Sequence, residues 1–216
     1  MRRIAIYDLD KTLTRIATFT PFLVFAARRR CPPRLLMLPV WAAAMAGYKA
    51  GLLTRGRLKA FGLRLMAGRA TPDDLVELGH AFAGHHMRRG GAMPAVVELL
   101  RNDLAAGHTV IMATAAFEFY AGSFAHHFSI LHVIGTKWDG QRIDGDNCYG
   151  TEKHRRVLAW LARHGLNPKD LHIRFVSDSF ADAPLLDLAD EAVFVNASAR
   201  KRRLAAARGW RAISGE

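Results

Sequence analysis

Arg3-Ile4-Ala5-Ile6-Tyr7-Asp8-Leu9-Asp10-Lys11-Thr12-Leu13-Thr14 decides how the rest of the chain is read. Its first five residues are a short apolar run of strand length. Two aspartates two positions apart follow directly. Ligands of open α/β sheets bind at the carboxyl ends of the strands, and two carboxylates placed there repel each other. A divalent cation or a shared proton relieves that repulsion. An isolated Asp-x-Asp is ordinarily a solvated turn. Here a strand precedes it, Thr12 follows it, and matching segments come later in order.

Those segments are further short apolar runs at Thr109–Thr114, Ile173–Val176 and Ala192–Val195. Helical patterns lie between them, over Pro94–Ala106, Glu152–His164, Ala181–Ala189 and Ser198–Arg208. Strands alternating with helices predict an α/β fold, a Rossmann-like parallel sheet with helices on both faces. Residues 17–90 break the alternation. Phe19–Ala27, Leu35–Tyr48, Arg57–Met66 and Pro72–Met87 read as helices, and Thr71 ahead of Pro72-Asp73-Asp74 is a helix start: an N-cap, Pro at the first position, acids in the first turn. The expected division is a catalytic core of residues 1–16 and 91–216 and a helical cap of residues 17–90, inserted after the first strand.

Composition narrows the class. The chain has 216 residues, enough for one domain with an insertion, and a formal net charge of +12 that suits an anionic partner. Two cysteines, Cys31 and Cys148, in no metal-like spacing argue against a disulfide scaffold or structural zinc and fit a reducing cytoplasm. The run Ile4–Tyr7 is too short for a signal peptide, and Leu35–Tyr48, interrupted by Pro39, is too short to span a bilayer. No zinc finger, RNP pattern or recognition helix supports nucleic-acid binding. The pairs His85-His86 and His126-His127 point in different directions on a helix and make poor metal sites.

Four further residues are candidates. Thr114 ends the second strand, where a hydroxyl can donate to a phosphoryl oxygen. Lys153 starts a helix and, if buried, can pair with both a carboxylate and a phosphate. Asp178 and Asp182 follow the third strand, Asp178 towards a metal and Asp182 orienting or capping the loop. Asp8, Asp10 and Thr12, then Thr114, Lys153, Asp178 and Asp182, in this order over Ile4–Ile213, resemble the four motifs of the haloacid dehalogenase superfamily. The position of the cap resembles the phosphoserine-phosphatase-like subgroup. The resemblance implies a phosphatase that works through an aspartyl-phosphate on Asp8, with Asp10 as acid and base. It implies Mg2+ held by Asp8, the Asp10 carbonyl and Asp178, charge neutralisation by Thr114 and Lys153, and support from Thr12 and Asp182. Thr114-Ala115-Ala116 departs from the frequent Thr-Ala-Ser and loses a secondary polar group.

Substrate is read from the cap. Phosphoserine phosphatases carry a Glu after the first motif, where this chain has Ala17, so an amine-bearing substrate would lack its counter-charge. Arg28-Arg29-Arg30, the apolar stretch Leu35–Tyr48 with Trp41, and Gly51–Arg57 resemble the cap of phosphatidylglycerophosphatase C. That likeness implies a lipid phosphomonoester such as phosphatidylglycerophosphate, and peripheral contact with the inner face of an anionic membrane through the three arginines and Trp41. The alternatives are a soluble phosphoserine-like, sugar- or alcohol-phosphate phosphatase, a phosphotransferase, and a non-catalytic nucleic-acid binder.

Overall fold

The computed structural model describes residues 1–195 and 198–214. Strand β1 (Arg2–Tyr7) lies mid-sheet. Four helices follow it: α1 (Phe19–Arg30), α2 (Leu38–Lys49), α3 (Arg55–Ala67) and α4 (Pro72–Arg88). Then come α5 (Pro94–Ala105), β2 (Thr109–Phe117), α6 (Glu118–His127), β3 (His132–Trp138), β4 (Ile143–Asp144), α7 (Thr151–Arg163), β5 (Leu171–Ser177), α8 (Ala183–Leu186), β6 (Glu191–Val195), α9 (Ala199–Ala206) and β7 (Arg211–Ile213). The strands form one sheet in the order β4-β3-β2-β1-β5-β6-β7, parallel except for the antiparallel pair β3–β4.

The period of a strand sorts β1 between two apolar layers. Ala5 and Tyr7 join the cluster containing α1, α4, α5 and α6, while Ile4 and Ile6 join that of α7 and α8. The first cluster is continuous from the sheet into the inserted helices: Phe22 stacks on Tyr120 at 5.0 Å and Phe82 meets Phe124 edge-on at 5.8 Å. The chain leaves β1 towards β2 and β3, then returns to β5 on its other side. This reversal opens the crevice in which open α/β sheets bind ligands.

Several elements differ from the sequence reading. Leu35–Tyr48 is not one helix. A 3-10 segment over Pro32–Met37 hands over to α2, and Pro39 sits in the first turn of α2, where its missing N–H costs nothing. The helix expected over Ala181–Ala189 shrinks to a short turn at Phe180–Asp182 followed by α8. Strands β3, β4 and β7 and helix α6 were not anticipated. The capping box at Thr71 is present: Thr71 Oγ1 accepts from Asp74 N at 3.2 Å, and Asp74 accepts from Thr71 N at 2.8 Å.

Trp41 does not face solvent. It is 3% exposed, packs edge-on to Phe19 at 5.9 Å and donates from Nε1 to Thr20 Oγ1 at 3.4 Å. Gly62 on α3 makes room for it, since a Cβ there would lie 2.5 Å from the indole. The exposed large apolar side chains from α2 to α3 and just before them are Leu36, Met37, Val40, Leu52 and Phe61. No described helix is long and apolar enough to cross a membrane.

Candidate active site

The end of β1 is fixed by its neighbour. Tyr7 pairs with Val176 in register, and Asp8 N donates to Val176 O at 3.0 Å. Asp8 and Asp178 are thereby brought side by side from opposite ends of the sequence. The loop Leu9–Leu13 turns sharply, with Lys11 at φ 59°, a left-handed conformation that non-glycine residues adopt rarely. Thr12 is buried, and its Oγ1 accepts from Asp178 N at 3.1 Å, joining the two loops. Asp10 turns its carboxylate towards Thr18, where Oδ1 accepts from both Thr18 N and Thr18 Oγ1 at 2.7 Å.

Lys153, on the first turn of α7, is 1% exposed, and its Nζ lies 3.0 Å from Asp8 Oδ1 and 2.7 Å from Asp182 Oδ2. Burial alone would push this ammonium down, but Asp182 and Asp8 outweigh it and hold it above the usual lysine range. Ser177 Oγ also donates to Asp182 Oδ2, at 2.7 Å. Asp182 therefore aims Lys153 and makes no side-chain cap for α8. Thr114 is buried, and its Oγ1 accepts from Ala116 N at 3.1 Å, which leaves the hydroxyl proton to donate elsewhere.

These groups surround a cavity of about 410 Å³ lined by Asp8, Asp10, Lys153, Asp178 and Asp182. Ala17, Arg55 and Lys201 also line it. Of the seven residues expected from the sequence, Thr12 and Thr114 lie behind the wall and the other five line it. Burial pushes the Asp8 carboxyl up against the pull of Lys153, and Asp182, Asp178 and Asp10 add repulsion. Burial likewise raises Asp178. Asp182 Oδ1 is buried without a hydrogen-bond donor.

This surplus of hard oxygen donors fits a magnesium-class cation. No three His, Cys, Asp or Glu side chains gather as a metal cage among the described residues. The side chains of Asp8 and Asp178, with the backbone carbonyl of Asp10, could hold such a cation. His86 is buried against Phe82 and Phe124, while His85, His126 and His127 are exposed.

The sequence reading missed Thr18, Ser177, Arg55, Lys201, Lys59 and Asn147. Lys59 on α3 is buried and donates to Ala115 O at 2.6 Å and Asn147 Oδ1 at 2.8 Å. Burial pulls this ammonium down to about 7. Its only sequence signal was a place in a cationic helix.

A mostly parallel sheet carries carboxylates and a buried lysine at its carboxyl edge. Residues 5–187 match the haloacid dehalogenase-like hydrolase family, and the chain belongs to that family. A phosphoserine phosphatase of Mycobacterium tuberculosis is 30% identical over 95% of this chain and 68% of its own. A histidinol-phosphatase of Neisseria meningitidis is 27% identical over 97% of each. A solved Bordetella pertussis protein of unknown function superposes with TM-score 0.85 at 32% identity over 100% of both chains. A substrate-bound phosphoserine phosphatase shares the fold, with TM-score 0.62 at 11% identity over 99% of this chain and 93% of its own. The chain is an enzyme of the phosphatase class.

Proposed function

We propose that the chain hydrolyses phosphomonoesters in two steps through an aspartyl-phosphate on Asp8, with residues 17–90 acting as the cap over the core. The observation that carries this reading is the position of Lys153, bonded to Asp8 and Asp182 in a cavity lined by four aspartates. Lys153 occupies Asp8 Oδ1, and the other carboxylate oxygen attacks phosphorus. Asp10 gives a proton to the departing alcohol oxygen. It then takes one from the water that cleaves the aspartyl-phosphate, which releases phosphate and restores Asp8. Thr18 holds Asp10 in place for both transfers. Thr114 and Lys153 stabilise charge on the moving phosphoryl group. The side chains of Asp8 and Asp178 and the Asp10 carbonyl would hold Mg2+, which would supply Lewis-acid neutralisation of phosphate oxygens.

Both relatives' names point to amine-bearing phosphate esters. Here Ala17 lines the cavity and Arg55 and Lys201 add positive charge, which favours an ester without an amine. A lipid phosphomonoester such as phosphatidylglycerophosphate is the leading substrate, favoured by the exposed apolar side chains of Leu36, Met37, Val40 and Leu52. Arg28, Arg29 and Lys49 are exposed, while Arg30 is paired with Asp74 at 3.0 Å. This patch replaces Trp41 as the inserting surface. Lipid and soluble phosphomonoesters assayed side by side, with binding to anionic vesicles, test the reading. Salt-sensitive vesicle binding and lipid turnover that both fall in Leu36→Asp and Val40→Asp support it. Hydrolysis of a soluble ester alone, with no vesicle binding, would replace it with a soluble phosphatase.

A further inference from the structure

Away from the catalytic cleft, a cavity of about 590 Å³ lies beside the two segments where the chain crosses between core and inserted helices. Arg15 and Ile16 of the outgoing segment line it, as do Arg89, Gly90 and Gly91 of the returning one. The segments are tied to each other: Arg15 N donates to Gly91 O at 2.8 Å, and Met93 N donates to Leu13 O at 2.9 Å. No residue lines both this cavity and the catalytic one. Its volume falls in the range of small-molecule sites, about 300–1,000 Å³.

Part of the lining is apolar. Pro21, Val24 and Phe25 come from α1 and Phe82 from α4. Phe25 meets the Phe82 ring at 5.6 Å and the His85 ring at 5.5 Å, so this surface is packed in place. The rest is strongly cationic. Arg15, Arg28 and Arg89 line the cavity, and all three are exposed. No Asp or Glu lines it. Among the described residues no carboxylate pairs with any of these three, whereas the neighbouring Arg30 is taken by Asp74.

Two needs meet in one place. Apolar side chains that line a wet cavity gain from an apolar body laid over them. Three unpaired guanidinium groups gain from an anion, and Arg binds a carboxylate or phosphate in bidentate fashion. A neutral hydrocarbon answers only the first need, and an inorganic anion only the second. We propose that this cavity binds an anionic amphiphile of the fatty-acid type. The hydrocarbon chain rests on Val24, Phe25 and Phe82, and the carboxylate is held by Arg15 and Arg89. A ligand seated this way clasps both crossing segments from outside the catalytic cavity.

The test is isothermal titration calorimetry of the full chain with decanoate, kept below its micelle concentration. Decanoate should bind at one site per chain. Decanol, which has no charge, and acetate, which has no chain, should each bind at least about tenfold more weakly. Arg15→Gln combined with Arg89→Gln should weaken decanoate at least about tenfold, and so should Val24→Asp. Lys201→Gln, in the catalytic cavity, should leave decanoate affinity unchanged. The decanol and acetate comparisons use the wild type alone, so they decide the matter even if a variant folds poorly. Equal affinity for decanoate and decanol, or a loss in Lys201→Gln but not in the double variant, overturns the site. So does a wild type that adsorbs to anionic vesicles yet takes up no decanoate, which would make these arginines a membrane-contact surface.

Discussion

Thr12 Oγ1 accepts a hydrogen bond from the backbone N–H of Asp178 at 3.1 Å, and this contact fastens the loop after β1 to the loop after β5. It holds Asp8 and Asp178 in one place although 166 residues separate Thr12 from Asp178. Thr12→Val keeps the shape and removes the acceptor. Activity and magnesium affinity should fall by about 10–100-fold, as for other outer supports of metal ligands. Thr12→Ser should restore most of both. Magnesium titration of activity in the three proteins checks this, and an unchanged Thr12→Val would show that the tie is dispensable.

Asp8→Asn should fold and yet lose turnover by at least about 10⁴-fold, because an amide cannot attack phosphorus. Lys153 keeps Asp182 as its partner, so the buried ammonium is not stranded. Circular dichroism together with p-nitrophenyl phosphate hydrolysis separates the two effects. Near wild-type turnover in the folded variant is incompatible with the proposed chemistry.

Chelation should stop hydrolysis and added magnesium should restore it. Asp178→Ala should raise the magnesium concentration needed for half-maximal rate, by about tenfold or more, since it removes one of two donor side chains. Full activity after exhaustive EDTA treatment would exclude the metal.

Glu152 gives a stability signature in acid. It sits in the first turn of α7, and hydrogen bonds from Arg155 and then Arg156, working against some burial, hold its carboxyl down at about 2 rather than its usual 4.5. A carboxyl depressed in the folded state contributes stability above its unfolded pKa and loses it as pH falls through the folded value. Glu152→Gln should therefore cost about 1 kcal/mol at pH 7. Its unfolding curve should converge with that of the wild type between pH 4.5 and 2. A difference that stayed constant down to pH 2 would mean that packing, not charge, is responsible.

Trp41→Ala should cost about 3–5 kcal/mol as a buried large-to-small change. Gly62→Ala should cost about 1–3 kcal/mol through overpacking against the same indole. Neither should alter vesicle binding per folded molecule. Thermal melts and vesicle sedimentation of both variants measure this, and a stable Trp41→Ala protein that no longer binds vesicles would return the indole to the surface.

The legible parts of this molecule were those written in local pattern. Ile4 to Tyr7 show themselves as a buried strand because both faces are covered and the run is apolar throughout. Asp8, Asp10 and Thr12 follow at fixed spacing, and the Thr71 cap is a local contact. Strand β3, His132–Trp138, begins with a histidine and contains Gly135 and Lys137, so no apolar run marks it. Pairing with β2 makes it a strand, and sequence does not display that pairing. Trp41 was misplaced for a related reason. Leu35–Tyr48 is apolar all round, and no polar stripe marks which side is buried. Arg55, Lys59 and Asn147 were hidden because their meaning depends on partners far away in the chain: Tyr149, Ala115 and Thr136.

One apolar core runs from the sheet into the inserted helices, and it limits how a substrate gets in. If α1 and α4 swung open like a hinged lid, Phe22 would part from Tyr120 and Phe82 from Phe124. Each ring so exposed costs about 1.5–3 kcal/mol, so several together would consume much of the stability of a domain. That side of the molecule is a fixed door frame. Arg55 on α3 and Lys201 on α9 line the catalytic cavity. An enzyme built this way need not swallow its substrate. A molecule with a long tail can leave the tail outside while its phosphate alone reaches Asp8. The upper limit on substrate size is then set by what fits through the opening, not by what fits inside.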